Sequence, residues 1–131
     1  MMRNYKFLNL LYFKPQYYPI KTMTTRDFPG ISITETRWLK AGMGICIPPF
    51  GIFVYRGASH ALKQHEYGHF LQYRQLGFWK FYFGVGFPSL WSATFYPRNH
   101  HKLKVEKDAN QRAVDFFGPD APIANVRFWP R

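Results

Sequence analysis

The chain has a single cysteine, Cys46, in 131 residues. One thiol excludes an intrachain disulfide and any metal site built from several thiolates. Its place in the apolar run Gly44-Ile45-Cys46-Ile47 marks it as a small core residue. Acid is also scarce: 7 Asp and Glu stand against 18 Lys and Arg, a formal charge of +11. There is no internal repeat, low-complexity tract, glycine-rich phosphate loop, zinc-finger spacing or RNA-recognition signature. The charge therefore points to anionic surfaces in general, an acidic membrane face among them, with no specific nucleic-acid motif. No uninterrupted membrane span is present either. Residues 77–97 are aromatic with Lys80 as the only full charge, but Gly84, Gly86 and Pro88 break the run, which is expected to form a buried or interfacial hairpin. At the N-terminus, residues 7–13 are apolar but short, contain Asn9, and lead into Lys14-Pro15 without a small-x-small cleavage site. A cleaved signal is not expected, a cytoplasmic or membrane-peripheral location is favoured, and Met23 is an alternative start.

What is present is aromatic. Hydrophobic residues make up 47% and aromatics 21%, which suits one globular core and excludes a disordered tail. Fourteen Phe and nine Tyr exceed what a small core can hold, so some rings should lie at a surface that contacts something. Residues 1–30, rich in Tyr, Lys and Pro and closed by the turn pair Pro29-Gly30, read as a loosely ordered lead-in to a single domain at 31–131.

Within that domain, 31–38 alternates as a short strand, and Gly44–Ile47 and Gly51–Tyr55 are two β-type runs around Pro48-Pro49. Over 59–76, Leu62, His65, Glu66, His69, Tyr73 and Leu76 recur at helical spacing, with Ser59 as a cap and Gly77 as a stop. A second helix is predicted over 102–117, ended by Gly118-Pro119, with Glu106, Ala109, Asn110, Ala113 and Phe117 on one face. The class is α+β, a short edge-exposed sheet packed on the first helix, with the second helix alongside.

The first helix carries His65-Glu66-Tyr67-Gly68-His69. Two imidazoles four residues apart point the same way one turn apart, as a tetrahedral metal requires. Glu66 faces the same cleft without reaching the metal, which suits it to accept a proton from an activated water. Gly68, lacking a side chain, lets another element approach where the metal would lie. Glu106 is the candidate third ligand, because a carboxylate on an apolar helix face needs a cation opposite it. The alternatives are a Lys or Arg partner, or exposure in the first helical turn, where an acid suits the helix dipole. His100 and His101 are either solvent-facing or donors to a developing oxyanion. Asp108 lies off the Glu106 face, and Asn110 could orient a ligand from outside or simply bond backbone.

His65-Glu66-x-x-His69 followed by Glu106-x-x-Ala109-Asn110 resembles the gluzincin branch of zinc metallopeptidases, in which a Glu on a later helix is the third ligand. The runs HEYGHFLQYRQLG, GFPSLWSA and EKDANQRAVDFFG are similar to those of small uncharacterised bacterial HExGH…ExxAN proteins, over residues 40–118. The resemblance implies a zincin-like fold, bound Zn2+, and a hydrolase acting on a peptide or protein. Gln75, six residues after His69, departs from the three-histidine metzincins, and the stretch from His69 to Glu106 is longer than in standard gluzincins. HExGH and the Gly-Phe-rich stretch after it also resemble intramembrane site-two proteases, whose later Leu-Asp-Gly motif is missing. On this reading Glu66 is the general base, and Gly51–Tyr55 could align an extended peptide by strand addition. The rival is a non-catalytic zinc-containing or membrane-peripheral protein that binds through a basic aromatic surface.

Overall fold

A helix with so many polar residues is expected at a surface, yet this one runs through the centre of the molecule. The computed structural model describes residues 22–23, 27–100 and 103–126. The signal-like run at 7–13, His101 and Lys102 lie outside them. Helix α1 (His60–Leu76) starts where the Ser59 hydroxyl accepts the Leu62 N–H, and ends at Gly77, whose N–H returns to the Tyr73 carbonyl. Residues 61–70 are all buried. Its polar side chains must therefore find partners inside, since an unpaired buried group costs about 1–3 kcal/mol. Lys63 reaches Glu35 at 2.9 Å, and Gln64 accepts the Ile123 N–H at 3.0 Å.

One flank of α1 is a four-stranded sheet, β1 (Thr22–Met23), β2 (Ile33–Thr36), β3 (Gly44–Ile47) and β4 (Gly51–Tyr55), in the order β1-β2-β4-β3. β3 and β4 form an antiparallel hairpin around Pro48-Pro49, and β4 pairs parallel to β2. Ile33, Ile52 and Val54 point at α1 and pack with Phe28, Leu62, Tyr67 and Phe70. Each such side chain stabilises the fold by roughly 1.5–3 kcal/mol. Phe28 belongs to this core, and the Tyr67 hydroxyl donates to the Pro29 carbonyl, so the packed body begins before residue 31. β4 lies between two strands and cannot accept a third. That corrects the expected role of Gly51–Tyr55: among the described residues, the edge beside α1 is β3.

The other flank of α1 is helix α4 (Lys104–Phe117). Gly68 is what allows the approach, because a Cβ there would sit 2.1 Å from the Ala109 carbonyl oxygen. Between α1 and α4 the chain runs through α2 (Phe78–Phe81), a π-helical turn (Tyr82–Gly86) and α3 (Phe87–Phe95). The expected hairpin at 77–97 is thus replaced by an interrupted helix. Gly84 and Gly86 fall in the wider π turn, and Pro88 sits in the first turn of α3, where its missing N–H costs no hydrogen bond. Phe81 and Val85 turn inward and are buried, whereas Trp79 is 71% and Trp91 63% exposed. No helix among the described residues is long and apolar enough to cross a membrane.

Candidate metal centre

His65 and His69 project from one face of α1 toward Glu106, in the first turn of α4. Their ligand atoms all lie within 4.8 Å of one another, and Glu106 is 1% exposed. The Nε2 atoms of His65 and His69 stand 3.1 and 3.3 Å from the same carboxylate oxygen, Oε2. Zinc bonds of about 2.0–2.1 Å in tetrahedral geometry need ligand atoms roughly 3.3 Å apart. Two imidazole nitrogens and one carboxylate oxygen are also a donor set that zinc takes, so these residues fit the ion. Of the alternatives for Glu106, exposure in the helix's first turn is excluded by burial. Opposite it, among the described residues, are imidazoles and a serine hydroxyl.

The far side of each group is held as well. His69 Nδ1 meets Gln72 Oε1 at 2.8 Å. The amide of Gln72 cannot be flipped, because its Nε2 donates to the Val105 carbonyl and to Asp108 Oδ2 at 2.9 and 2.7 Å. An amide oxygen only accepts, so His69 carries its proton on Nδ1 and turns Nε2 toward the cluster. His65 Nδ1 lies 2.6 Å from Asn110 Oδ1, the same arrangement, and the Ser89 hydroxyl donates to Glu106 Oε1. Two lone-pair nitrogens and an anion facing one point require positive charge there: a proton or a metal ion. In the metal-free protein a proton serves. Burial disfavours the His69 imidazolium, but the hydrogen bond and charge of Glu106 push its pKa up to about 9. Burial would likewise raise the Glu106 carboxyl, yet hydrogen bonds from His65 and His69 outweigh it and hold it well below the usual carboxylate range.

Glu66 is buried beside this cluster, next to β3. A Cβ on Gly44 would lie 2.7 Å from its Oε1, so the bare glycine makes room for the carboxylate where it stands. Burial pushes the Glu66 carboxyl up, and the charges of His65 and His69 pull it part of the way back. Cys46, on the same strand, has its thiol pushed well up by burial and then by Glu66, which leaves it a protonated core residue rather than a nucleophile.

His100 enters the cluster too, with Nε2 3.4 Å from Glu106 Oε2. Asp108 stays outside, paired with Arg112 at 2.7 Å and with Gln72. Gln72 and Ser89 are the site residues that sequence reasoning passed over. The spacing of Gln72, three residues after His69 and so on the same helix face, could have pointed to it. A cavity of about 580 Å³ is lined by Phe83, Phe87, Trp91 and Tyr96 among others, and by none of His65, His69 and Glu106. The chain matches no family model, no curated protein and no solved structure. The resemblance to zinc metallopeptidases therefore rests on the sequence motif.

Proposed function

We propose that the chain is a zinc-dependent hydrolase of the HExxH type, a minimal zincin-like domain that cleaves a peptide or similar amide. The observation that carries the reading is the pair of Nε2 atoms, each backed by an amide oxygen, meeting one buried carboxylate oxygen at the edge length of a zinc tetrahedron. His65, His69 and Glu106 would hold the ion. Bound zinc supplies a Lewis acid that polarises a carbonyl and makes water nucleophilic near neutral pH. The Glu66 carboxylate, one residue from the first ligand, accepts the proton of the attacking water and delivers it to the amine that leaves. Glu106 balances the charge, while Ser89, Asn110 and Gln72 keep the three ligands in place. β3 offers its outer backbone edge, beside Glu66, to an extended peptide.

The test is zinc content measured together with turnover of a mixed peptide library. The protein should bind one zinc, and Glu66→Gln should keep it while slowing cleavage by about 10²–10⁴-fold. His65→Ala should lose metal and activity together. A protein that stays zinc-free in zinc-supplemented medium, or a Glu66→Gln variant with the parental rate, overturns the reading. His100 favours one alternative, a closed non-catalytic site in which four side chains surround the ion. His100→Ala then separates the two: a closed site loses most of its zinc affinity, and an open catalytic one keeps it.

A further inference from the structure

Trp79, Phe83, Phe87, Trp91 and Phe95 recur every four residues from α2 through the π turn into α3, and all five are exposed. In a regular α-helix such a series drifts about 40° per step around the axis. The π turn, with its i→i+5 bonding, winds less per residue and takes back part of that drift. The rings consequently form an exposed ridge in two runs, Trp79–Phe83–Phe87 with centroids 6.2 and 5.8 Å apart and Trp91–Phe95 with centroids 4.4 Å apart. The opposite face of the same segment is committed to the interior through Phe81, Val85 and Ser92, and through Ser89 on Glu106. Its solvent side is left as large bare rings.

Charge decides what covers them. From residue 67 to 105 the sequence contains no Asp or Glu, while Arg74, Lys80, Arg98 and Lys104 lie exposed along the same stretch. A second copy of the chain would set +11 against +11. An exposed set of rings, three of which border a cavity, in a stretch that carries exposed cations and no acid matches an anionic lipid interface, where Trp sits at headgroup level and Lys and Arg reach the phosphates. No described helix can span the bilayer, so the attachment is to one face. We propose that the ridge from Trp79 to Phe95 is a peripheral docking surface for an anionic membrane. The metal reading is not needed for this, and the measurement involves no catalysis.

The full-length protein is mixed with vesicles of phosphatidylcholine alone or with 30% phosphatidylglycerol (roughly the acidic fraction that gives a strong surface potential), and bound protein is separated by flotation. Binding to the acidic vesicles should exceed binding to neutral ones by about tenfold or more, and should weaken as salt rises. Trp79→Ser with Trp91→Ser should cut it by about tenfold while the thermal midpoint stays within a few degrees, because both rings are exposed. Lys80→Glu with Arg98→Glu gives the same loss through charge. Equal binding to neutral and acidic vesicles, no binding at low salt, or parental binding by both double variants overturns the proposal. A non-binding protein that sediments as an oligomer would show the ridge covered by a second copy.

Discussion

Ser89, Asn110 and Gln72 would touch no metal, yet they hold the outer atoms of Glu106, His65 and His69. Each supplies what its neighbour lacks: a donor for the carboxylate, an acceptor for each imidazole N–H. Losing the acceptor lets an imidazole rotate or carry its proton on the inner nitrogen, and either change opposes a cation. Asn110→Ala and Ser89→Ala should each weaken zinc about 10- to 100-fold. Gln72→Ala should do the same and also cost about 1–3 kcal/mol of stability, since it strips a donor from the Val105 carbonyl. Competition against a chromogenic chelator reads the affinities directly. Parental zinc affinity in all three variants would mean that they serve packing alone.

Two helices meet at a point where no side chain fits. A Cβ on Gly68 would fall 2.1 Å from the Ala109 oxygen, and backbone cannot swing aside as a flexible side chain can. Gly68→Ala should therefore push α4 off α1, destabilising the protein by roughly 1–3 kcal/mol. It should also carry Glu106 away from His65 and His69, so that zinc affinity falls together with the urea midpoint. A variant as stable and as zinc-avid as the parent would mean that the helices are not so close. The role of Gly68 was legible in the sequence, as were α1 with its cap at Ser59 and stop at Gly77, both hairpin strands and most of α4. Those features are set by local periodicity, capping and turn chemistry. The stretch 77–97 was not, because Gly84, Gly86 and Pro88 are helix breakers by propensity, and only the inward packing of Phe81 and Val85 repays the helix they interrupt. That β4 is central and β3 the edge depends on pairing between residues 19 apart in the chain, which no local pattern encodes. Gln72 betrays itself only by its spacing from His69, and Ser89 is an ordinary polar residue until its partner, 17 residues away, is known.

Over the whole molecule, the cluster of His65, His69 and Glu106 is also a fastener. Glu106 ties α4 to α1 through two imidazoles and to α3 through Ser89, so three helices converge on one buried charge. In the metal-free protein that charge faces a protonated His69 on a polar helix buried along most of its length, a costly arrangement for a chain of this size. An ion that binds only the folded state adds stability by mass action, about 2.7 kcal/mol when free zinc is 100 times its dissociation constant. For a domain near this length that is a rise in thermal midpoint on the order of 10 °C. Chelator should lower the midpoint by this amount, and zinc should restore it. Magnesium should not, because imidazole donors do not suit a hard cation. His65→Ala should be indifferent to both additions, which separates loss of the site from a general effect of chelator. A parental midpoint that moves by less than about 2 °C between chelator and excess zinc would mean that the cluster is an ion-paired core in which protons alone do the work.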